Sequence, residues 1–300
     1  MVRRGAGDAL STFNRFPYRI QRLNALFMTL VVILTLYPFL YILAASFSDQ
    51  LFIQQGKVGI IPKGFNLDAY KLVFEFPMIG RSYWNTVVYT VTGTLVSVLL
   101  TVCAAYPLSR KSMLGRKFFT GVILLPMIFA GGIVPTFLIV NAMGMRNTIW
   151  AIIIPGAVSS FYVFIQRTFF EAIPQELEEA ARIDGCSHMQ ILLRMILPLS
   201  LPSLVTIGLF YAVGQWNSFF PAMLYLSDKS MHPIQLLLRD IVIMNQTDSV
   251  LTGAAADERA MIGESVKFAT IMVATVPILL VYPFIQKFFV QGAMVGSIKG

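Results

Sequence analysis

The sequence predicts an all-α integral membrane protein with six transmembrane helices, cytoplasmic N- and C-termini, and a cytoplasmic helix-turn-helix loop between spans four and five. Three observations predict it: an apolar composition, six long uncharged windows, and an uneven distribution of lysine and arginine. Of 300 residues 56% are hydrophobic and only 13% charged, with a mean hydropathy of +0.71, too apolar for a soluble domain of this length. A bilayer core takes about 20 apolar residues of helix. The windows 23–46, 86–106, 118–141, 148–166, 199–226 and 268–286 meet that length or come close to it, and none contains Asp, Glu, Lys or Arg.

Orientation follows from the basic residues beside these windows. Cytoplasmic termini place Arg3, Arg4, Arg15, Arg19 and Arg22 inside, then Arg110, Lys111, Arg116 and Lys117, then Arg167, Arg182 and Arg194, and finally Lys287 and Lys299. These are fourteen of the 23 basic residues, the excess that the positive-inside rule associates with the cytoplasm. The chain then divides into an N-terminal segment 1–22, a membrane domain 23–290 and a tail 291–300. The first apolar window is too long for a signal-peptide core and lacks a small-residue cleavage site, so it is expected to remain as a span. The net charge of +8 is spread around the spans instead of forming one basic stripe with aromatics, which argues against nucleic acid as a partner.

Several chemistries lack their residues. Cys103 and Cys186 would lie far apart and indicate no disulfide framework, and His188 and His232 have no metal-ligand company. The phosphate-cradling pattern GxxxxGK followed by Ser or Thr is missing, so no nucleotide site is expected in this chain. Neither a nucleophile set nor a carboxylate pair is present, which leaves no enzyme reading. An ion-coupled secondary transporter, the alternative transport class, would need a buried acid in a span, and the windows hold none.

Two long connections, 47–85 and 227–267, fall on the outer side. The first carries Gly56, Gly59, Pro62, Gly64 and Pro77 and is expected to be an ordered excursion of short helices and turns. The second begins with a mostly apolar patch, 233–244, and continues with a polar stretch, 245–264. Within the windows, Pro38, Pro126, Gly131, Gly132, Pro135, Pro155, Gly156, Pro221, Pro277 and Pro283 read equally as kinks for packing or as points of movement.

The segment 171–202 holds the most specific pattern. Pro174 suits a first helical position, Glu176, Glu178 and Glu179 place negative charge at the positive end of the helix dipole, and Gly185 suits a left-handed C-terminal stop. Ser187 and Gln190 have capping-box spacing for a second helix, and Pro198 and Pro202 mark entry to span five. Ala180 and Ala181 leave part of the first helix bare for close approach by a partner, while Glu179, Arg182 and Asp184 are placed to fix register by charge pairing.

Glu179-Ala180-Ala181, then Gly185 after three residues, then Met195-Ile196-Leu197-Pro198 after nine more, resembles the cytoplasmic hallmark of bacterial ABC importer permeases. The sole departure is Met195 where that pattern has isoleucine. Ile173 to Gly185, Trp84-Asn85-Thr86, Gly132 to Pro135, Trp216 to Pro221 and the tail Gly292 to Gly300 are similar to the carbohydrate-uptake branch, the maltose-permease-like subunits with six spans. The resemblance implies a multi-pass subunit of a bacterial cytoplasmic (inner) membrane with ATPase-coupling residues Glu179, Ala180, Ala181, Arg182, Asp184, Gly185 and Pro198. Implied partners are two cytoplasmic ATPase subunits that bind ATP and Mg, a second homologous permease subunit, an extracytoplasmic solute-binding protein and membrane lipid. The tail 291–300 is implied to reach the ATPase. Gly131-Gly132 and Gln235 to Asp240 look most similar to importers of alginate or other uronate oligosaccharides, and a permease for another small solute is the alternative within the class.

Polar residues in spans face protein or water. Asn85 and Tyr89 in span two, and Gln215, Trp216 and Asn217 in span five, are the expected substrate path, with Thr92 and Gln166 as further positions. Interhelical hydrogen bonding explains the same residues without a substrate.

Overall fold

The structure, a computed structural model, describes residues 18–75, 77–129, 131–251 and 264–280. Among these residues every regular element is helical, and extended pairing is confined to the isolated bridge between Ser48 and Phe65. The chain divides into two compact units, 1–73 with 245–272 and 74–244 with 273–300.

In the first unit, helix Tyr18–Ser46 is almost wholly apolar after Asn24, with Phe27, Leu30 and Leu34 exposed. Its 29 residues extend about 43 Å at 1.5 Å per residue, enough to cross a bilayer. The chain then folds back on itself. Ser48 Oγ donates to the Ala44 carbonyl (2.7 Å) and accepts from the Lys63 N–H (3.0 Å), while Asp49 caps helix Gln50–Gln54 by accepting from the Leu51 N–H (2.9 Å). The Phe47 ring stacks on both Phe65 and Tyr70, with centroids 5.7 and 4.9 Å away. Ala44, Ala45, Ile53 and Val58, with Tyr41 and Phe268 against them, form a small core. The expectation of short helices and turns holds as far as this unit extends.

The second unit is organised around helix Pro77–Ser109, which packs along Leu201–Trp216 and Ser160–Glu171. The helix begins nine residues before the window at 86 and ends three residues after its limit at 106. Gly93 and Gly208 lie in its seam with Leu201–Trp216. A Cβ on Gly93 would come within 3.0 Å of the Gln215 side chain, and one on Gly208 would meet Val98 and Thr94 at 3.5 and 3.9 Å. Small residues let two helix backbones approach where lipid provides no hydrophobic drive. A hydroxyl pair, Thr101 with Tyr211 at 2.8 Å, crosses the same seam, and the Tyr211 oxygen also accepts the Ser159 N–H at 3.1 Å.

Expected windows three, four and five are not continuous helices. Helix Arg116–Ile128 is followed by Ile133–Ala142. The segments 149–156 and 160–171 meet at 58°, and 188–199 and 201–216 meet at 81°. The interruptions fall at Gly132, whose φ is +84°, at 157–159 just after Pro155-Gly156, and at Ser200, two residues before Pro202. A proline lacks the N–H that continues the helical ladder, and a positive φ ends it. After Trp216 another break precedes the short helix Phe220–Tyr225. Among the described residues, two single helices are long and apolar enough to cross a membrane, and each bent pair supplies a further span if taken together. Residues 264–280 are helical and include position 268, where the sixth window starts; its end, with segments 1–17 and 291–300, lies outside the described residues.

The seam predicts a graded response. Gly208→Ala makes an ordinary contact, whereas Gly208→Leu overpacks the interface and is expected to destabilise by about 1–3 kcal/mol. Thermal unfolding of the purified protein in detergent reads this, and equal midpoints for the two variants would contradict a tight seam.

Candidate functional site

The segment expected to meet a partner is built from terminal signals that its own sequence satisfies. Pro174 is the N-cap residue (φ −53°, ψ 131°) and not the first helical residue, so the helix runs Gln175–Ile183. The extended conformation at Pro174 accounts for that one-residue correction. At the other end Gly185 has φ +83°, its N–H bonds the Arg182 carbonyl (3.0 Å), and the Cys186 N–H bonds the Ala181 carbonyl (2.9 Å). These two bonds are the Schellman arrangement, which needs a left-handed residue at that position. One residue later Ser187 opens helix His188–Ile191 with a reciprocal capping box: its N–H donates to Gln190 Oε1 (2.8 Å) and its Oγ accepts the Gln190 N–H (3.4 Å). A wider π-helical turn, Leu192–Ile196, and the short piece Leu197–Leu199 containing Pro198 then lead to Leu201–Trp216. Such turns are concentrated at functional sites.

One face of this loop is buried in the chain's own interior. Ala181, Ile191, Leu192 and Ile196 pack with Val102, Ala105, Tyr106 and Leu108 of the long helix and with Val163 and Phe170. Glu178 lies on that face, its side chain only 5% exposed and Oε1 2.5 Å from Arg110 Nη2, itself 11% exposed. The Arg110 guanidinium rests over the Tyr106 ring at 4.9 Å, and Arg182 approaches the other Glu178 oxygen at 4.0 Å. Nearby, Glu171 pairs with Arg116 and with Arg167. The expectation for Ala181 is therefore corrected: it faces inward, three residues from Glu178, because positions three apart share one side of a helix.

The opposite face carries Glu176, Glu179, Ala180 and Ile183, all exposed, with Ile183 at 87%. Arg182, Asp184 and Gly185 are also exposed at the edge and end of the helix, and Met189 adds apolar surface from the next one. The Glu178–Arg110 pair is the feature that sequence reasoning missed. Its available signal was the shared phase of residues 178 and 181, but nothing in the sequence paired Glu178 with Arg110.

A cavity of about 560 Å³ opens elsewhere in the same unit, lined by Thr136, Ser159, Tyr162, Phe210, Tyr211, Gln215, Ser218 and Tyr225 among others, with no charged residue in its wall. The Tyr162 and Phe210 rings stack nearly parallel, 5.7 Å between centroids. Of the expected path residues only Gln215 lines this cavity. Asn85 Nδ2 donates to the carbonyls of Ser230 (2.8 Å) and His232 (3.2 Å), and the Tyr89 hydroxyl donates to that of Met231 (2.8 Å). Trp216 Nε1 donates to the Ala274 carbonyl (3.3 Å) and its ring borders a separate apolar crevice. Asn217 Nδ2 bonds back to the Val213 carbonyl (2.9 Å). Thr92 bonds the Val88 carbonyl of its own helix, and Gln166 is buried, accepting from Ser203 Oγ at 3.1 Å. Backbone carbonyls and neighbouring side chains, not the cavity, hold these groups. No group of His, Cys, Asp and Glu among the described residues is arranged to hold a metal ion.

The capped helix pair thus packs one face against the ends of the apolar helices and leaves the other bare. Residues 97–295 match the family described as binding-protein-dependent transport system inner membrane component, and the chain belongs to that family. Protein LplC of Bacillus subtilis (strain 168) is 43% identical over 278 residues, covering 92% of this chain and 94% of its own. The polygalacturonan/rhamnogalacturonan transport system permease protein YtcP of the same organism is 43% identical over 277 residues, covering 91% and 96%. Among solved structures, a bacterial ABC transporter involved in the import of the acidic polysaccharide alginate matches with a TM-score of 0.83 and 32% identity, covering 91% of this chain and 99% of that one.

The Schellman turn has a local test. Gly185→Ala forces a side chain into a left-handed conformation, at a cost of about 1–2 kcal/mol, and hydrogen exchange should show faster exchange of the Gly185-site and Cys186 amides. Unchanged protection would contradict the turn.

Proposed function

We propose that this chain is a permease half of an ATP-driven importer that carries a sugar or oligosaccharide, with six spans, both termini in the cytoplasm and no catalytic site of its own. The observation that carries the reading is the capped helix pair 175–191, buried on one face against the unit's core and bare on the other. In that reading Glu179, Ala180 and Ile183 form the surface presented to one of two cytoplasmic ATPase subunits, while Arg182, Asp184 and Gly185 shape its edge and end. ATP and Mg bind the ATPases. Their closure moves the helix pair, and the chain from Leu192 through Pro198 passes the displacement to Leu201–Trp216. Transport needs such a stiff element with discrete positions. A second permease subunit completes the pathway, and an extracytoplasmic binding protein delivers the solute.

The uncharged cavity with its parallel aromatic pair suits the apolar face of a sugar ring, and Gln215 and the hydroxyls around it suit sugar hydroxyls. Similarity to a polygalacturonan/rhamnogalacturonan permease and to an alginate transporter supports an acidic oligosaccharide. Since no basic residue lines the cavity, recognition of carboxylates is assigned to the binding protein and the sister permease.

Two measurements test this. Proteoliposomes holding the complete complex should take up an oligouronate offered with the binding protein only when ATP is supplied, and uptake without ATP would overturn the importer reading. In the same vesicles Gly185→Trp should retain ATP hydrolysis while abolishing uptake, because the bulky residue blocks the turn and the approach of the ATPase; wild-type uptake would count against the docking surface.

A further inference from the structure

The long helix is fastened at both ends to segments distant in sequence. Near its start, Arg81 Nε (3.0 Å) and Asn85 Nδ2 (2.8 Å) both donate to the Ser230 carbonyl, and Asn85 donates also to His232. Tyr89 donates to Met231, and Thr86 Oγ1 accepts the Ile234 N–H at 2.8 Å in a fully buried position. Residues 81, 85 and 89 recur every four positions and so share one helix face, against which 230–234 lies. Just past the other end, Arg110 holds Glu178 in a buried ion pair. Arg110 Nε and Nη2 and Glu178 Oε1 are buried and make no hydrogen bond, so what holds them there is the charge pairing of Arg110 with Glu178, whose other oxygen Arg182 approaches at 4.0 Å. Between the two ends, the 25 helical residues from Asn85 to Ser109 span about 36 Å. The Thr101–Tyr211 hydroxyl pair and the Gly93 and Gly208 contacts keep that helix against its neighbour.

We propose that helix Pro77–Ser109 is a strut through which the 230–234 segment and the Gln175–Ile183 helix sense one another. Arg81, Asn85 and Tyr89 are the positioning residues at one end, and the Arg110–Glu178 pair is the fastening at the other. This rests on the importer reading above, in which the first end lies on the binding-protein side and the second on the ATPase side. Docking of the binding protein on the 227–244 region then shifts or rotates the strut, and the buried ion pair obliges the ATPase-facing helix to follow. A single stiff element with both attachments provides the contiguous physical connection that coupling between distant sites requires.

The test is a double-mutant cycle on the complete complex in lipid nanodiscs, reading ATP hydrolysis against binding-protein concentration. Asn85→Leu keeps the branched side-chain shape, though it is larger, and removes both donated bonds. It should lower the maximal stimulation by about fivefold or more, while the half-saturating binding-protein concentration stays within about twofold. Glu178→Gln should lower stimulation as well, and the double variant should be no worse than the weaker single. Losses that multiply in the double variant would show two independent local effects and overturn the strut, as would a shift in half-saturation alone for Asn85→Leu. Exchanging the pair, Arg110→Glu with Glu178→Arg, should recover stimulation lost in Arg110→Glu, and no recovery would likewise overturn it. Should no ATPase accompany the chain at all, the importer reading itself fails, an outcome distinct from additivity.

Discussion

The close contact between helix Pro77–Ser109 and helix Leu201–Trp216 depends on what is missing from it. Gly93 leaves room for the Gln215 side chain and Gly208 leaves room for Val98 and Thr94, so the backbones approach without a large apolar residue between them. Surrounded by lipid, such an interface gains little from burying hydrocarbon and is held by packing and interhelical hydrogen bonds, here the Thr101–Tyr211 pair. The cavity wall depends on this fit because Gln215 and Tyr211 belong to both. So does the foundation of the 175–199 segment: Ala105 and Leu108 on one helix, and Ile196 leading into the other, are fully buried together.

On that foundation sits a charge pair that hydrophobic packing alone would not require. A buried ion pair is costly to desolvate, and its replacement by apolar residues is often neutral for stability. What Arg110 and Glu178 contribute is direction. With the Arg110 guanidinium over Tyr106, one rotational setting of helix Gln175–Ile183 satisfies both charges, and this setting turns Glu179, Ala180 and Ile183 outward. The Schellman stop and capping box fix where the helices end, and the ion pair fixes which way the first one faces.

Local signals were legible and long-range ones were not. Uncharged windows located the two long apolar helices because charge is excluded from hydrocarbon, and Ser187, Gln190 and Gly185 declared their caps because each acts within a few residues of itself. Window continuity misled at Gly132, after Pro155-Gly156 and after Trp216, where the sequence stays uncharged while backbone geometry breaks the helix. Asn85 and Tyr89 were conspicuous as polar residues in a span, yet their partners are main-chain carbonyls about 140 residues away, and a carbonyl has no signature in sequence. The inward turn of Ala181 depended on helical phase, which the Ala180-Ala181 pair alone did not set. The choice of Glu178 over Glu176 or Glu179 as the buried acid depended on that phase together with the placement of Arg110.

The contact proposed between the exposed face of helix Gln175–Ile183 and an ATPase is the point on which the importer reading turns. It is tested most directly by cysteine crosslinking in native membrane vesicles, with Ile183→Cys introduced after Cys103 and Cys186 are replaced by serine. A crosslink from position 183 to the ATPase subunit, with a yield that changes when ATP is added, is expected, and none from Ala181→Cys, which faces the interior. A crosslink from position 181 with none from 183, or a yield at 183 indifferent to ATP, would contradict it.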